Sequence, residues 1–285
     1  MIERLSLADA VHHAREALEG GAPVVALTVL DAPDGSASPG ERMCVWADRA
    51  AGTLGDPNLD AAAIRMARGV LDEGALAGPR TVEADGKACT LYVEPHRPPP
   101  ELVIVGAGHV ARPLCRLGAM LGFRVTVLDD RAEFATRERF PEAVEVRQPR
   151  FDDPFRDVRI HARTYLVLVT RGHKYDFEAL RDVLHRPELP AYVGMIGSRR
   201  RTRAALEQLA RDGIGDDRLR AVHAPIGLDI GAETPEEIAV AVAAELVMAL
   251  RGGTGRPLRD LERVAERWIR PGDGGTTGPG DKGTG

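Results

Sequence analysis

The sequence contains few cysteines and no apolar run long enough for a membrane span. Its three cysteines, Cys44, Cys89 and Cys115, lie far apart and form no C-x-x-C pair. This excludes a zinc ribbon and a disulfide scaffold, and it is typical of a reducing compartment. The longest apolar run, residues 238–250, is interrupted by Glu245 and is too short to cross a bilayer. No basic segment followed by an apolar one opens the chain, so we expect no signal peptide, no membrane partner and a cytoplasmic location.

The chain also has no basic surplus. It carries 38 Lys and Arg against 43 Asp and Glu, a formal net charge of -5. A general nucleic-acid binder normally carries excess positive charge, so we expect no nucleic-acid partner. We find no Ser/His/Asp set, no Tyr-x-x-x-Lys pair and no paired catalytic carboxylates. The pattern therefore predicts a binding site more clearly than a catalytic one.

A run of prolines divides the chain. Consecutive prolines continue neither a helix nor a central strand, and they favour a stiff extended connector. The last residues of the chain contain no apolar side chain to bury, which is typical of disorder. The predicted divisions are an N-terminal domain at 1–94, a proline-rich linker at 95–100, a second domain at 101–252, a helical extension at 253–271 and a disordered tail at 272–285.

Strand-like and helix-like runs alternate in the second domain. The predicted strands lie at 102–105, 124–128, 144–147, 164–169, 191–196 and 221–226, and the predicted helices at 110–121, 177–185, 199–211 and 235–250. The first domain is predicted to contain helices at 7–18 and 59–73, strands at 24–30 and 43–47, and a hairpin ending at 89–93. Regular alternation implies a parallel sheet covered on both faces. We therefore predict an α/β fold, with a Rossmann-like doubly wound parallel sheet in the C-terminal part and a smaller N-terminal α/β domain.

A glycine fingerprint follows the first strand of the second domain. Its residues are Gly106, Ala107, Gly108, His109, Val110 and Ala111. Gly106 permits a tight turn, Gly108 lets backbone N–H groups approach an anion, and Ala111 packs the helix on the strand. A helix N-terminus after such a turn favours a phosphate group. A plain strand-to-helix turn without a ligand is the alternative interpretation.

Polar clusters follow other strands of the same predicted sheet. They comprise Asp129, Asp130 and Arg131, then Thr170, Arg171, Gly172 and His173, then Gly197, Ser198, Arg199, Arg200 and Arg201, and finally the segment 227–231. The carboxyl ends of parallel strands meet at one edge of a sheet, where ligands bind near the point at which strand order reverses. The clusters therefore predict one composite anion site.

The chemistry of individual residues leaves alternatives open. Asp129 could accept hydrogen bonds from a ribose 2′-hydroxyl of NAD, Arg131 could meet the 2′-phosphate of NADP, or the two could pair with each other. The three arginines oppose the dipole of the helix that begins at 199, which favours either a bound anion or a solvated basic face.

The histidines and one buried acid are equally ambiguous. His109 and His173 could contact a cofactor, shuttle protons, join His223 in a metal site, or be structural. No spacing supports a metal, so we predict none. Thr234 begins a capping box with proline at the first helical position. Glu245 lies on the apolar helix that follows, which we expect to be buried. Its carboxylate either pairs with an arginine, which we favour, or belongs to a partner surface.

Five ordered blocks resemble the XdhC/CoxI family, accessory proteins of xanthine dehydrogenase and related molybdenum hydroxylases. They are residues 106–111, 127–131, 170–173 with Asp176, 194–200 and 224–239, and they cover about 150 residues. The N-terminal segments at 35–40 and 52–60 depart from the family pattern, and none of the three cysteines lies in a recognisable block. We assign no sulfur-carrying cysteine.

The resemblance implies a role in maturation of the molybdenum cofactor. Such a protein would be a carrier or chaperone more than an enzyme. It would bind molybdopterin and support its sulfuration by a cysteine desulfurase and its insertion into a xanthine dehydrogenase-type hydroxylase. A homodimer is compatible with this role. A glycine turn at a helix N-terminus fits the phosphate of that cofactor. An NAD(P)-dependent oxidoreductase and a nucleotide-sensing regulatory module are the alternatives.

Overall fold

The N-terminal part of the chain forms one antiparallel sheet. The structure is a computed structural model that describes residues 4–33, 35–73, 76–150, 153–170 and 172–261. The strands are β1 (Val24–Asp31), β2 (Arg42–Val45), β3 (Ala50–Gly52), β4 (Gly78–Ala84) and β5 (Lys87–His96), in the order β3-β2-β1-β5-β4. Residues of β1 alternate between two faces, and both faces are covered by helices.

Two helices cover this sheet. They are α1 (Leu7–Leu18) and α2 (Pro57–Glu73). Helix α1 begins at the cap Ser6, whose hydroxyl accepts a hydrogen bond from Asp9 N at 3.1 Å. It packs Ala10 and Ala17 on one face of the sheet, whereas α2 packs Leu59, Ala63 and Ala67 on the other. The result is a small three-layer α/β unit.

The second sheet is parallel throughout. Its strands are β6 (Glu101–Val105), β7 (Arg124–Leu128), β8 (Glu145–Arg147), β9 (Thr164–Leu168), β10 (Tyr192–Met195) and β11 (Val222–His223). Their order is β11-β10-β9-β6-β7-β8. The chain runs outward from β6 to one side, returns to β9 and runs outward to the other, so strand order reverses between β6 and β9.

Helices cover both faces of the parallel sheet. They are α3 (Ala111–Met120), α4 (His173–His185), α5 (Arg199–Arg211), the short α6 (Asp216–Arg220), α7 (Pro235–Arg251) and α8 (Leu258–Leu261). Leu102 and Ile104 of β6 pack with α3 and α7, whereas Val103 and Val105 pack with α4 and α5. A strand buried on both faces requires the continuous apolar run that the sequence shows here. The predicted fold class, a Rossmann-like parallel sheet with a smaller N-terminal α/β domain, is confirmed.

Three local expectations differ from the structure. The predicted strand 221–226 is reduced to Val222 and His223, and Pro225, which follows, has no N–H to donate to a ladder. Strand β5 continues through Pro95 and His96, where it still pairs with β1, so it enters the expected linker. The short strand β3 was not anticipated. The predicted disordered tail at 272–285, and the predicted helical extension beyond residue 261, lie outside the described residues.

Within the described ranges, no helix has both the length and the apolar character needed to cross a membrane.

Candidate functional site

Two adjacent cavities open at the carboxyl edge of the parallel sheet. The smaller, about 410 Å³, lies at the ends of β6, β7 and β9, where strand order reverses. The larger, about 750 Å³, lies at the ends of β9 and β10 between α4 and α5. We call them the glycine-turn cavity and the arginine cavity. Thr170, Gly172 and Ile196 line both, so the two spaces share one wall.

The tight turn after β6 shapes the glycine-turn cavity. Gly106 has a φ of +105°, and a Cβ built on it would lie 2.7 Å from the carbonyl oxygen of Val169. Only glycine fits both this conformation and this approach to the neighbouring strand. Gly108 has no atom within 4 Å of a built Cβ, so its side of the turn faces open space. The turn therefore brings backbone, rather than side chain, to the cavity.

Helix α3 begins at this turn without a cap. Val110, at the cap position, makes no side-chain hydrogen bond to the helix, and the first turn contains no acidic residue. Among the described residues, the N–H groups of Gly108 and His109 donate to no partner. Unsatisfied N–H groups at the positive end of a helix dipole form an anion site. His109 is exposed and lines the cavity.

Asp129 fastens the turn to the end of β7. One carboxylate oxygen accepts from Ala107 N at 2.7 Å and from Arg131 Nη2 at 2.8 Å. The other accepts from Arg131 N at 3.0 Å and Arg131 Nε at 2.8 Å. The side chain is 3% exposed. Of the alternatives that the sequence left open for Asp129 and Arg131, the structure contains the local ion pair. Both carboxylate oxygens of Asp129 already accept two hydrogen bonds each, which leaves little capacity to accept one from a ribose hydroxyl.

The electrostatics of this pair favour its charged form. Burial opposes ionisation of Asp129, but the hydrogen bonds from Arg131 and from the backbone of Ala107 and Arg131 outweigh it, and the pKa of Asp129 is lowered. The side-chain hydrogen bonds that Arg131 donates to Asp129 raise the pKa of Arg131. Burial, followed by the charges of Asp130 and Asp129, raises the pKa of the Tyr175 phenol, which therefore stays protonated beside the cavity.

An aromatic stack supports the turn from behind. The guanidinium carbons of Arg131 and Arg139 lie 3.7 Å and 4.7 Å from the ring centroid of Phe134. Arg139 Nη2 also donates to the carbonyl of Ala107 at 3.2 Å. The segment between β7 and β8 thus holds the backbone of the glycine turn, because Arg139 contacts both Phe134 and the carbonyl of Ala107. Neither Phe134 nor Arg139 was anticipated from the sequence, because each lies far along the chain from the glycines.

The shared wall of the two cavities is held by a threonine–aspartate contact. Thr170 Oγ1 donates to Asp176 Oδ1 at 2.5 Å and accepts from Gly172 N at 3.3 Å. Asp176 is 7% exposed and lies in the first turn of α4. Gly172 caps α4 without a side-chain hydrogen bond, so a second helix N-terminus faces the cavities. Arg171 and the side chain of His173 lie outside the described residues.

A third helix N-terminus carries the positive charge of the arginine cavity. Ser198 caps α5 by accepting from Arg201 N at 3.4 Å. Arg200 and Arg201 line the cavity, and neither side chain has an ion pair within the described part of the chain. Both are exposed. Two unpaired guanidinium groups beside a helix N-terminus attract an anion.

The structure brings most of the predicted site residues together, though some lie apart. Those that line one cavity or both are Gly106, Gly108, His109, Val110, Asp129, Asp130, Arg131, Thr170, Gly172, Gly197 and Arg200. Ala111 is fully buried against the sheet. Ser198 and Arg199 lie beside the arginine cavity without lining it. The cluster at 227–231 lines neither cavity, since Gly227 and Leu228 bond to α7 instead.

Several lining residues were missed by sequence reasoning. Arg201 and Asp176, which the sequence already pointed to, also line a cavity. The lining residues that were not anticipated are Val169, Tyr175, Phe177, Met195, Ile196, Ala204, Ala205 and Gln208. Most are apolar residues of α4, α5 and β10. The sequence predicts these elements but carries no signal for which apolar residues face the cavity instead of the core.

The expectation for Glu245 was wrong. Its carboxylate contacts His223 Nδ1 at 2.7 Å and accepts from Gly227 N, and it pairs with no arginine in the described ranges. His223 lies on the edge strand β11. The contact with Glu245 and the ring of Tyr192, whose centroid is 4.5 Å from that of His223, hold the imidazole there. Over the described ranges, no three His, Cys, Asp or Glu side chains are grouped so as to hold a metal ion.

The hydrogen bonds of the divergent N-terminal segment 52–60 join residues of the segment to one another. Asp60, which is 7% exposed, accepts hydrogen bonds from Leu54 N and from Thr53 Oγ1, both at 2.7 Å. Asp56 caps the start of α2 by accepting from Asn58 N at 2.8 Å. None of these residues lines the cavities at the parallel sheet.

Known proteins share this architecture. A solved structure described as a xanthine dehydrogenase from Bacillus halodurans superposes with a TM-score of 0.51 at 20% identity, covering 89% of this chain and 99% of that one. An uncharacterized protein, YqeB, from Escherichia coli is 30% identical over 249 residues. A protein from Bacillus subtilis that is named as a probable xanthine dehydrogenase component is 31% identical over 157 residues.

Coverage differs between the chain and its relatives. The alignments span 83% and 55% of this chain respectively, but 45% of the length of each of these two relatives. The chain thus matches less than half of either protein. Two family models match the chain, the XdhC Rossmann domain at residues 102–246 and the XdhC and CoxI family at residues 17–83. The chain belongs to the XdhC and CoxI family.

Proposed function

We propose that the chain is an accessory protein of a xanthine dehydrogenase-type molybdenum hydroxylase and binds the molybdenum cofactor at the carboxyl edge of its parallel sheet. One observation carries the proposal: three helix N-termini and two unpaired arginines surround a pair of joined cavities. Such a site suits an elongated ligand with a phosphate group. The family and the name of the Bacillus subtilis relative support the choice of hydroxylase.

The described residues fit such a ligand. The phosphate would lie at the turn, where the N–H groups of Gly108 and His109 are free and the built Cβ position of Gly108 is open. The pterin would lie in the arginine cavity, where Phe177 and Met195 offer apolar contacts and Arg200 offers charge. When bound, the cofactor would supply oxidation chemistry to the client enzyme. This chain would bind it, orient it and limit access of water.

Asp129 argues against a nicotinamide dinucleotide as the ligand. An oxidoreductase of this fold uses the acid at the end of the second strand to hold the adenosine ribose. Here four hydrogen bonds from protein donors already fill the carboxylate of Asp129. NAD would have to bind without that contact, and NADP would have to open the Asp129–Arg131 pair.

Copurification tests the proposal. The full chain is produced in cells that make molybdopterin, and bound molybdenum is measured by mass spectrometry and pterin by fluorescence after oxidation. We expect both with the unaltered chain, and a loss of about tenfold or more in the double variant Arg200→Gln/Arg201→Gln, since each lost charge-assisted contact weakens binding strongly. Arg211→Gln, at the other end of α5, is the matched control and should bind normally.

Two results would contradict the proposal. One is a chain free of molybdenum and pterin that binds NADPH tightly. The other is equal pterin content in the double variant and the control.

The partner roles need their own assay, in which an apo-hydroxylase and a cysteine desulfurase are incubated with cofactor, with and without the chain. We propose that the chain increases the yield of active hydroxylase in this assay. Light scattering of the purified chain would detect a homodimer.

A further inference from the structure

A third cavity lies at the opposite, amino edge of the parallel sheet. Its volume is about 410 Å³. The wall is built by the end of α1, the linker prolines, the residues before β9 and β10, and the end of α7. We call it the junction cavity, since both halves of the chain contribute to it. It shares no lining residue with the glycine-turn cavity or the arginine cavity.

Three arginines line the junction cavity, and no acid is present among its described lining residues. They are Arg97 of the linker, Arg163 before β9 and Arg251 at the end of α7. Arg97 has one fixed structural contact, because its Nη2 donates to the carbonyls of Val70 and Leu71 at 2.7 and 2.9 Å. These carbonyls belong to the last turn of α2, so Arg97 caps that helix. Its other donors bond to none of the residues that the structure describes.

The other two arginines have no counter-charge within the described ranges. Arg163 Nη1 is buried without a hydrogen bond. Glu101 donates its backbone N–H to the carbonyl of Arg163 at 3.2 Å, but its carboxylate faces His161 at 3.1 Å. Arg251 forms no ion pair with any residue that the structure describes. Arg97 and Arg251 line the same cavity, and burial, followed by the charge of Arg251, lowers the pKa of Arg97.

The remaining wall is apolar and partly open to solvent. Leu18 is 51% exposed and Leu76 is 75% exposed at this cavity, beside the linker prolines. Tyr165 and Leu250 form the floor, and Tyr165 is buried. An apolar recess with a few converging charged groups is the usual form of a small-molecule site.

We propose that the junction cavity binds a small organic anion. Its charged group would lie among the three guanidinium groups, and its apolar body would pack on Leu18, Leu250 and the linker prolines. Such a ligand offsets the repulsion between the arginines and supplies the partner that Arg163 is missing. Because the wall comes from both domains, a bound anion also stabilises their contact by mass action.

Fluorescence titration with 8-anilinonaphthalene-1-sulfonate, an aromatic anion of suitable size, tests the proposal on the full chain. We expect saturable binding that Arg163→Gln and Arg251→Gln each weaken about tenfold, the effect of one lost charge-assisted contact. Arg251 is exposed at a helix end, so its variant should fold even if Arg163→Gln does not. Circular dichroism verifies the fold of each variant.

Three comparisons make the result specific. Arg220 is an exposed arginine of α6 that lines none of the three cavities, and Arg220→Gln should leave the affinity unchanged. The double variant Arg200→Gln/Arg201→Gln removes two charges from the arginine cavity, which also offers the probe a charged and apolar site. It should keep the saturable binding that depends on Arg163 and Arg251. The uncharged analogue N-phenyl-1-naphthylamine should bind at least about tenfold more weakly. The proposal fails if binding does not saturate, if the uncharged probe binds equally well, or if only the Arg200/Arg201 variant loses affinity.

Discussion

Replacing Asp129 with asparagine tests the carboxylate that holds the glycine turn. The side chain is 3% exposed and accepts four hydrogen bonds, three of them from Arg131 and one from Ala107. Asparagine keeps one acceptor oxygen, but it places an NH₂ group against two N–H donors and removes the charge that faces Arg131. Breaking a buried ion pair on one side costs about 3–5 kcal/mol. Because Arg131 remains 16% exposed to water, we expect a loss near the lower limit, about 3 kcal/mol.

The effect should depend on pH in one direction. The pKa of Asp129 is lowered in the folded state, so its ionisation stabilises the fold fully above the unfolded pKa of about 4. That contribution is lost as the pH falls through the folded pKa. The difference in unfolding free energy between the unaltered chain and Asp129→Asn should therefore be largest near neutral pH and should narrow below about pH 4.

Urea unfolding followed by circular dichroism measures both quantities. Asp130→Asn is the matched control, because Asp130 is the next residue and is exposed, and its carboxylate has no hydrogen bond to the described residues. Its variant should stay within about 0.5 kcal/mol of the unaltered chain. If the two variants are equally stable at neutral pH, the carboxylate of Asp129 does not hold the turn and the reasoning is refuted.

Two further predictions concern the glycine turn and the buried thiols. Gly106→Ala combines a positive φ with a backbone clash, so it should lower the unfolding free energy by about 3 kcal/mol in thermal unfolding. Gly122→Ala, with a positive φ but open space, should lower it by about 1 kcal/mol. Equal losses of stability would contradict the clash at Gly106. Burial raises the pKa of Cys44 and Cys115 to about 11, so near pH 8 both thiols should resist Ellman's reagent until urea unfolds the chain. Rapid reaction of the folded chain would show that the thiols are accessible.

Capped helices and the glycine turn were the most predictable parts of the fold. Helices at 7–18 and 199–211 begin directly after the serine caps Ser6 and Ser198, and their predicted bounds match the structure. Both signals are local, since a cap contacts backbone three residues away. The strand at 50–52 carries no such signal, because its residues are two alanines and a glycine, with low strand propensity. Only its pairing with β2 makes it a strand.

The site was harder to predict because spacing along the chain does not show which partner a polar side chain meets. Spacing alone located Asp129 at a strand end, but it did not decide whether the carboxylate faces a ligand or Arg131. That choice depends on side-chain geometry. The same holds for Glu245, where the helix pattern predicted burial correctly but not that His223, 22 positions earlier, would be the partner. The order of charged residues along the chain therefore does not show which residue a charged side chain contacts in the folded protein.

The shared wall of Thr170, Gly172 and Ile196 has a consequence for ligand exchange. A ligand that reaches across this wall is held at two separate points, and while one end is bound the other stays at high effective concentration. Release can then proceed one end at a time, without a step that breaks every contact together. Under the proposed function, a client enzyme would need to compete for only one end to begin a handover, and the free end would stay shielded from water until it is captured.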